Sequence, residues 1–483
     1  MRQGYNLLPV YRRLVCDDLT PVGALERLQD DAYGFIFESV VGGERVARYS
    51  MLGVSPRAHL VGRNGSLVLY PGDGPEQGAG EPLAGGTIDA VRAYMAQFRT
   101  PDVEGLPRFS GGLVGYFSYD FVREVEHLPN VPEDQLQLPD VHLMHFDTVL
   151  VFDHSFNHLL LITHLDMRNG GDVEQAYAAA QLELKQLEHR LRWPSAPRLV
   201  EPTDPEPLAV QHHTSHDTFI DAVEQIQHYI RAGDIFQAVP SQRLSAALTV
   251  SPLQVYRSIR SLNPSPYLFN LRLGATSLVG ASPEILVTVE GGRVAVRPIA
   301  GTIHRGRTAA EDHALAEELL ADPKERAEHV MLIDLGRNDV GRVCTPGSVR
   351  LDEQMTVERY SHVQHIVSHV SGALREDCDA LDALAAVHPA GTVSGAPKIR
   401  AMEIIDSVEP VKRGPYAGAV GYIDFRGNLD TCIALRTAIL HEDQVHVQAG
   451  AGIVADSDPE KEWQETLNKA QAMLRAIARA DAF

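Results

Sequence analysis

Residues 448–470 read QAGAGIVADSDPEKEWQETLNKA, and the opening glycines of this stretch are compatible with two different folds. Gly450, Gly452 and Ala455 match G-x-G-x-x-A, the turn of a dinucleotide-binding unit, which would imply a doubly wound parallel sheet. That turn needs a helix to begin directly after the glycines, so that its N-terminus faces the pyrophosphate. Here the glycines run into IVADSDPE, with β-branched residues, three acids and a proline. They therefore read as a strand end, where bare backbone can turn tightly or bring its amides close to an anion. A helix follows only from about 459 and extends to about 479.

Without the dinucleotide turn, the rest of the chain reads as α+β. After residue 212 the apolar spacing predicts helices near 216–231, 311–333, 380–388 and 397–407. Strands are predicted in 235–248, 267–300 and 418–454, in runs rather than in strict βα alternation. Before residue 193, YGFIFES, SLVLYP, HFDTVLVFD and HLLLITHLD are short apolar segments bounded by Gly and Pro, and each predicts a strand. Residues 171–193, GDVEQAYAAAQLELKQLEHRLRW, predict one long helix, and the Gly-rich stretch 71–86 a mobile surface loop. Five prolines between 193 and 210 mark a linker. The expected division is an N-terminal lobe 1–195, a linker 196–211 and a second domain 212–483.

Composition narrows the function. A chain of 483 residues exceeds the ~250–300 at which a single core usually stops growing. A formal net charge of −21 leaves no basic excess for phosphate backbones, so nucleic acid is not an expected partner. No run approaches the ~20 apolar residues of a spanning helix, and the N-terminus lacks a signal-peptide centre; no membrane contact and a cytoplasmic location are expected. Cys16, Cys344, Cys378 and Cys432 are scattered, with no C-x-x-C pair, which suits a reducing compartment.

Several clusters could carry chemistry. Glu462 and Glu465 share a face of the last helix, with Lys469 one turn on. They form either a cation site or a solvated charged face. Glu328 and Asp334 flank an apolar run at 330–335, as metal ligands or as ordinary polar residues beside a buried stretch. Gly391, Thr392, Ser394, Gly395 and Lys398 precede or open a helix, with Pro397 in its first turn, and could seat an anion or merely cap that helix. His212, His213 and His216 lack metal-ligand spacing. His362, His365 and His369 lie close together, and one of them could be catalytic.

Taken together, GDIFQAVPSQR (233–243), NPSPYLFNL (263–271), GASPEIL (280–286), RPIAGTIHRG (297–306), HVMLIDLGRNDVGRV (329–343), GTVSGAPKIRAMEIID (391–406), GPYAGAVGY (414–422), DTCIALRTA (430–438) and the stretch first quoted resemble the chorismate-utilising enzymes. Within them the likeness is to the family of anthranilate synthase large subunits. It is dense over 212–479 and weaker before 200. The resemblance implies a two-lobed fold of packed, largely antiparallel β-sheets surrounded by helices. It implies conversion of chorismate and ammonia to anthranilate and pyruvate, the first committed step of tryptophan biosynthesis. It also implies Mg2+ held by Glu328 and Glu465, with Glu462 as a helper through water. Gly301, Thr302, Tyr416, Arg436, Gly450, Ala451, Gly452 and Lys469 are then expected around the substrate. Glu284 takes the family position of the general acid, and His365 that of the histidine of the lyase half.

Two further positions separate this family from its siblings. Gln237 stands where isochorismate and salicylate synthases carry a lysine that activates water. Ala300 stands where aminodeoxychorismate synthases carry a lysine that attacks C2. No cysteine lies in a glutaminase nucleophile turn, so a separate glutamine amidotransferase subunit, component II, is expected to supply ammonia, in a heterotetramer of two large and two small chains. Glu38, Ser39, Pro266, Tyr267 and Leu268 match the family's site for L-tryptophan as feedback inhibitor. A methionine is common where Leu268 stands.

Overall fold

Strands such as Tyr33–Glu38 and Gly112–Phe117 are apolar on both faces, which calls for cover on both sides. The computed structural model, which describes residues 4–39, 48–192, 200–201, 205–359 and 363–483, shows what covers them. Among these residues, eleven strands form one antiparallel sheet in the order Leu7–Val15, His158–Asp166, Val149–Asp153, Tyr49–Val54, Tyr33–Glu38, Tyr267–Leu273, Thr276–Ser282, Thr437–His441, Gln444–Gly450, Ser241–Ala247, Gln211–His212. A second antiparallel sheet runs Ile299–His304, Val363–Ala373, Arg293–Val296, Ile285–Glu290, Leu429–Ile433, Ala419–Asp424, Gly112–Phe117, Val141–Phe146, Ala58–Arg63, Ser66–Pro71, Glu81–Pro82, with Arg350–Arg359 paired to Val363–Ala373.

The sheets pack face to face. Phe35, Phe269 and Ile439 from the first meet Tyr116, Phe146 and Tyr422 from the second in a buried aromatic core. Alternate residues face outward: Ile36, Leu159 and Leu161 pack with Leu184 and Leu187 of helix Val173–Leu191 and with Ile259 of helix Pro252–Leu262. The period-2 alternation of a strand therefore feeds two cores at once.

Strand order corrects the expected division of the chain. Each sheet interleaves strands from before residue 193 with strands from after residue 211; Tyr33–Glu38, for example, pairs with Tyr267–Leu273. Residues 1–195 and 212–483 share both sheets and the core between them, so the two stretches do not form independent cores. Much of the proline-rich segment, 193–199 and 202–204, lies outside the described residues.

Two local expectations also change. The helix predicted near 311–333 is two helices, Ala309–Ala321 and Pro323–Gly341, because Pro323 cannot continue the first. Asp322 ends one and caps the other, its carboxylate accepting from the amides of Lys324 and Glu325. The 71–86 stretch is tied down: Glu81–Pro82 pairs with Ser66–Pro71, and Glu76 accepts the Ala275 amide at 3.0 Å. Among the described residues, no helix is long and apolar enough to cross a membrane.

Candidate active site

A cleft of about 590 Å3 opens beside the end of strand Gln444–Gly450, between strand Ile299–His304 and the helices Pro323–Gly341 and Pro459–Ala478. Its walls include Gln237, Glu284, Ala300, Gly301, Thr302, Glu328, Tyr416, Arg436, Gly450, Gly452, Glu462, Glu465 and Lys469, residues from separate segments that meet because both sheets contribute to the cleft. A strand would normally turn only one of Ala300 and Gly301 toward such a space. The ladder to Val363–Ala373 shifts register between Ala300 and Thr302, and Gly301 sits there at φ +72°. With this bulge four consecutive residues, Ile299 to Thr302, reach the wall, and a β-carbon on Gly301 would come within 3.0 Å of the Glu325 carboxylate.

Glu284 is 7% exposed, and the Thr392 hydroxyl donates to its Oε1 at 3.1 Å. Burial pushes its carboxyl up to about 8, so it holds a proton at neutral pH. A protonated carboxyl on the wall of a cleft can donate that proton to a leaving group. Tyr416, 3% exposed, is pushed up to about 12 by burial and keeps its proton as well.

Lys469 bridges two walls, donating to the Gly450 carbonyl at 3.1 Å and pairing with Glu465 at 2.7 Å. Beside Gly452, the Gln237 amide donates to Glu328 at 3.2 Å, while its own Oε1 is buried without a partner. A lysine at either Gln237 or Ala300 would bring an amine into the cleft; this chain brings an amide and a methyl group.

Four carboxylates, Glu325, Glu328, Glu462 and Glu465, line the same cleft. Burial raises Glu325, and the charges of Glu328 and Glu465 add to it; burial also raises Glu462, with Glu465 contributing. An all-oxygen, mutually repelling donor set fits a hard divalent cation. Among the described residues, no three of these side chains converge as a group of metal ligands.

A second cavity, about 320 Å3, lies between the two sheets. Phe37, Glu38, Ser39, Pro266, Tyr267 and Leu268 border it, with Asp430 and Cys432 opposite. The Ser39 hydroxyl is buried without a partner, and Tyr267 donates to Asp430 at 2.8 Å. Pro283 and Ile299 line both cavities and form the wall between them.

A profile of the chorismate binding enzyme family matches residues 43–475. This chain belongs to the chorismate-binding enzymes. It is 46% identical over 485 residues to anthranilate synthase component 1 of Acetivibrio thermocellus, with 99% of this chain and 97% of that protein covered. Against anthranilate synthase component 1 of Pseudomonas putida it is 48% identical over 487 residues, at 99% and 97% coverage. The crystal structure of anthranilate synthase component I from Streptococcus pneumoniae superposes with a TM-score of 0.79 at 39% identity, covering 96% of this chain and 99% of that one. The menaquinone-specific isochorismate synthase MenF of Escherichia coli, at 18% identity and TM-score 0.73 over 98% and 94% of the two chains, shares the fold. Among chorismate-binding enzymes, the likeness therefore places this chain with the anthranilate synthase large subunits.

For a chorismate-binding enzyme of this sequence, several expected site residues are placed differently. Ala451 is fully buried in a cluster with Phe219 and Trp463, because alternation turns Gly450 and Gly452 to the cleft and the residue between them away. Its amide serves the Pro240 carbonyl at 3.1 Å. The same alternation sends the Glu38 carboxylate to the helix side, where Tyr256 donates at 2.7 Å and Arg260 at 2.8 Å. Leu268 also packs into the helix-side core, while its position still borders the cavity.

His365 does not line the cleft but stands opposite Thr302 across the strand pair. Its Nδ1 donates to the Gly301 carbonyl at 3.0 Å, and burial keeps the ring below its ordinary value, hence neutral. Of the loop 391–398, Thr392 and Val393 reach the cleft. Lys398 is buried against Asp339 at 2.6 Å and the Val387 carbonyl at 2.9 Å, a structural ion pair rather than an anion seat. His212 and His216 pack on Trp463, His369 bonds Asp352, and His362 lies outside the described residues. Sequence inspection missed Glu325, although its i,i+3 spacing to Glu328 puts both on one helix face.

Proposed function

We propose that this chain converts chorismate and ammonia to anthranilate, pyruvate and water, as the large subunit of an anthranilate synthase at the first committed step toward tryptophan. The observation that carries this function is the buried, protonated Glu284 facing a cleft in which Gln237 and Ala300 supply no amine. Ammonia adds at C2 while Glu284 protonates the departing C4 hydroxyl, which leaves as water. The aminated intermediate then loses its C2 proton, the enolpyruvyl group departs as pyruvate after taking up a proton, and the ring becomes aromatic.

Arg436 offers a forked donor for a substrate carboxylate, and the bare backbone at Gly450 and Gly452 allows close approach of the second. Neutral His365, anchored through Nδ1 to the Gly301 carbonyl and paired with Thr302, supports loss of the C2 proton from behind the cleft wall by holding these two residues in place. Glu328 and Glu465, with Glu325 and Glu462 beside them, would hold Mg2+, which neutralises substrate carboxylate charge when bound. Ammonia comes from glutamine through a component II amidotransferase in a two-plus-two assembly, in the cytoplasm. In support, Cys344 and Cys432 are buried and Cys16 and Cys378 half-buried, with none in a nucleophile turn.

The test is incubation of the purified chain with chorismate, Mg2+ and ammonium, reading anthranilate fluorescence. Anthranilate and pyruvate in equal amounts are expected; an aminated product that retains its enolpyruvyl group, or isochorismate, overturns the assignment. The inter-sheet cavity is the site for tryptophan as inhibitor, its size and its orphaned Ser39 hydroxyl suiting one amino acid. Ser39→Phe fills it, so tryptophan should lose at least tenfold in potency while uninhibited turnover stays within about twofold, as measured by inhibitor titration.

A further inference from the structure

Behind the cleft wall lies an ion pair that the chemistry above does not use. Arg413 is 2% exposed and Glu409 is 7% exposed, four residues apart at the end of helix Lys398–Val408. Arg413 grips Glu409 with Nε at 2.9 Å and Nη2 at 2.6 Å. Its remaining donors go to main-chain carbonyls: Nη1 to Val393 at 2.6 Å and Nη2 to Val239 at 2.6 Å. Glu409 in turn accepts from the Ser241 amide at 2.7 Å and the Ser241 hydroxyl at 2.8 Å, and that hydroxyl accepts from Gln448 at 2.8 Å. The guanidinium also lies 5.8 Å from the centre of the Tyr416 ring.

Val239, Val393, Tyr416 and Gln448 all line the cleft, and they come from four separate segments. Buried charges are costly and add little net stability compared with apolar packing, so a fully hydrogen-bonded pair in this place calls for a role beyond stability. We propose that Arg413 and Glu409 are positioning residues that lock these four segments into one wall, and through Val393 hold the Thr392 hydroxyl against Glu284. A lysine cannot replace Arg413 here, because a single ammonium cannot span two carbonyls and a carboxylate in the geometry of the planar fork. The proposal rests on the anthranilate synthase function given above.

The pH profile distinguishes positioning from mere support. The Thr392 bond favours ionised Glu284, so releasing it drives the Glu284 carboxyl further up. Arg413→Lys, compared with the unaltered chain at fixed free ammonia, should lose at least tenfold in kcat, with the alkaline limb of kcat displaced to higher pH. Ser241→Ala, which cuts only the link to Gln448 and one bond to Glu409, should raise KM for chorismate several-fold and leave that limb in place. Unaltered kcat and limb in folded Arg413→Lys overturn the proposal, as does activity that falls only in proportion to the folded fraction. If Arg413→Lys does not fold, Ser241→Ala decides: an unchanged KM counts against the wall. Failure of the unaltered chain to form anthranilate would instead strike the function itself.

Discussion

Glu284→Gln should abolish almost all ammonia-dependent anthranilate formation while leaving the protein folded and more stable at alkaline pH. The kinetic loss is about 10^2 to 10^4 in kcat, the usual contribution of a positioned general acid. An amide keeps the size of the side chain and still accepts from Thr392, but it has no acidic proton for the departing C4 hydroxyl. The stability effect has a definite sign. Glu284 rises from 4.5 to about 8 on folding, so the folded protein holds a proton that the unfolded chain releases between those values. Its stability contribution is complete below about pH 4.5 and is lost as pH rises toward 8, at roughly 1.4 kcal/mol per pH unit. Glutamine does not titrate, so the variant should gain on the unaltered chain across that window, as measured by denaturant midpoints at pH 5 and pH 8. A variant that turns over at full rate, or one whose midpoint tracks the unaltered chain at both pH values, removes Glu284 from this role.

Lys398→Met carries the second large effect, and it is purely structural. Lys398 and Asp339 have side chains 10% and 6% exposed, paired at 2.6 Å. Removing the cation leaves a buried carboxylate without its partner, at a cost of about 3–5 kcal/mol. Urea unfolding should show this loss, and Lys398→Met combined with Asp339→Leu should recover most of it, since an apolar pair avoids the desolvation cost altogether. KM for chorismate should stay within about twofold in whatever fraction folds. A stable Lys398→Met protein with a greatly raised KM would restore the anion-seat reading of residues 391–398, which its burial argues against.

That loop shows where local sequence stops being informative. Gly391, Thr392, Ser394, Gly395 and Lys398 have the residue types of an anion cradle, yet only Thr392 of these reaches the cleft. Ser394 bonds back to the Ala390 carbonyl at 2.8 Å, and Gly395 pairs with Ala238. Residue type names the bonds a side chain can make. It does not name which partner the fold brings up. Ala451, Glu38 and Leu268 teach a related lesson: each sits in a motif rightly associated with a cavity, and each turns its side chain to the opposite face of its strand. A motif is contiguous, but a strand alternates.

Periodicity, punctuation and motif spacing were enough to reject the dinucleotide turn, to place most helices within a few residues, and to recognise the chorismate-binding family. They also showed that positions 237 and 300 carry no amine, because that depends only on residue identity. Three other features came from the tertiary structure. Strands from both halves of the chain interleave in each sheet, a bulge at Gly301 brings four consecutive residues, Ile299 to Thr302, to the cleft, and burial holds Glu284 protonated. The reason is physical: backbone ladders pair through groups that every residue shares, so strand order and register leave little trace in local sequence, and a carboxyl's proton affinity depends on which distant segments exclude water from it.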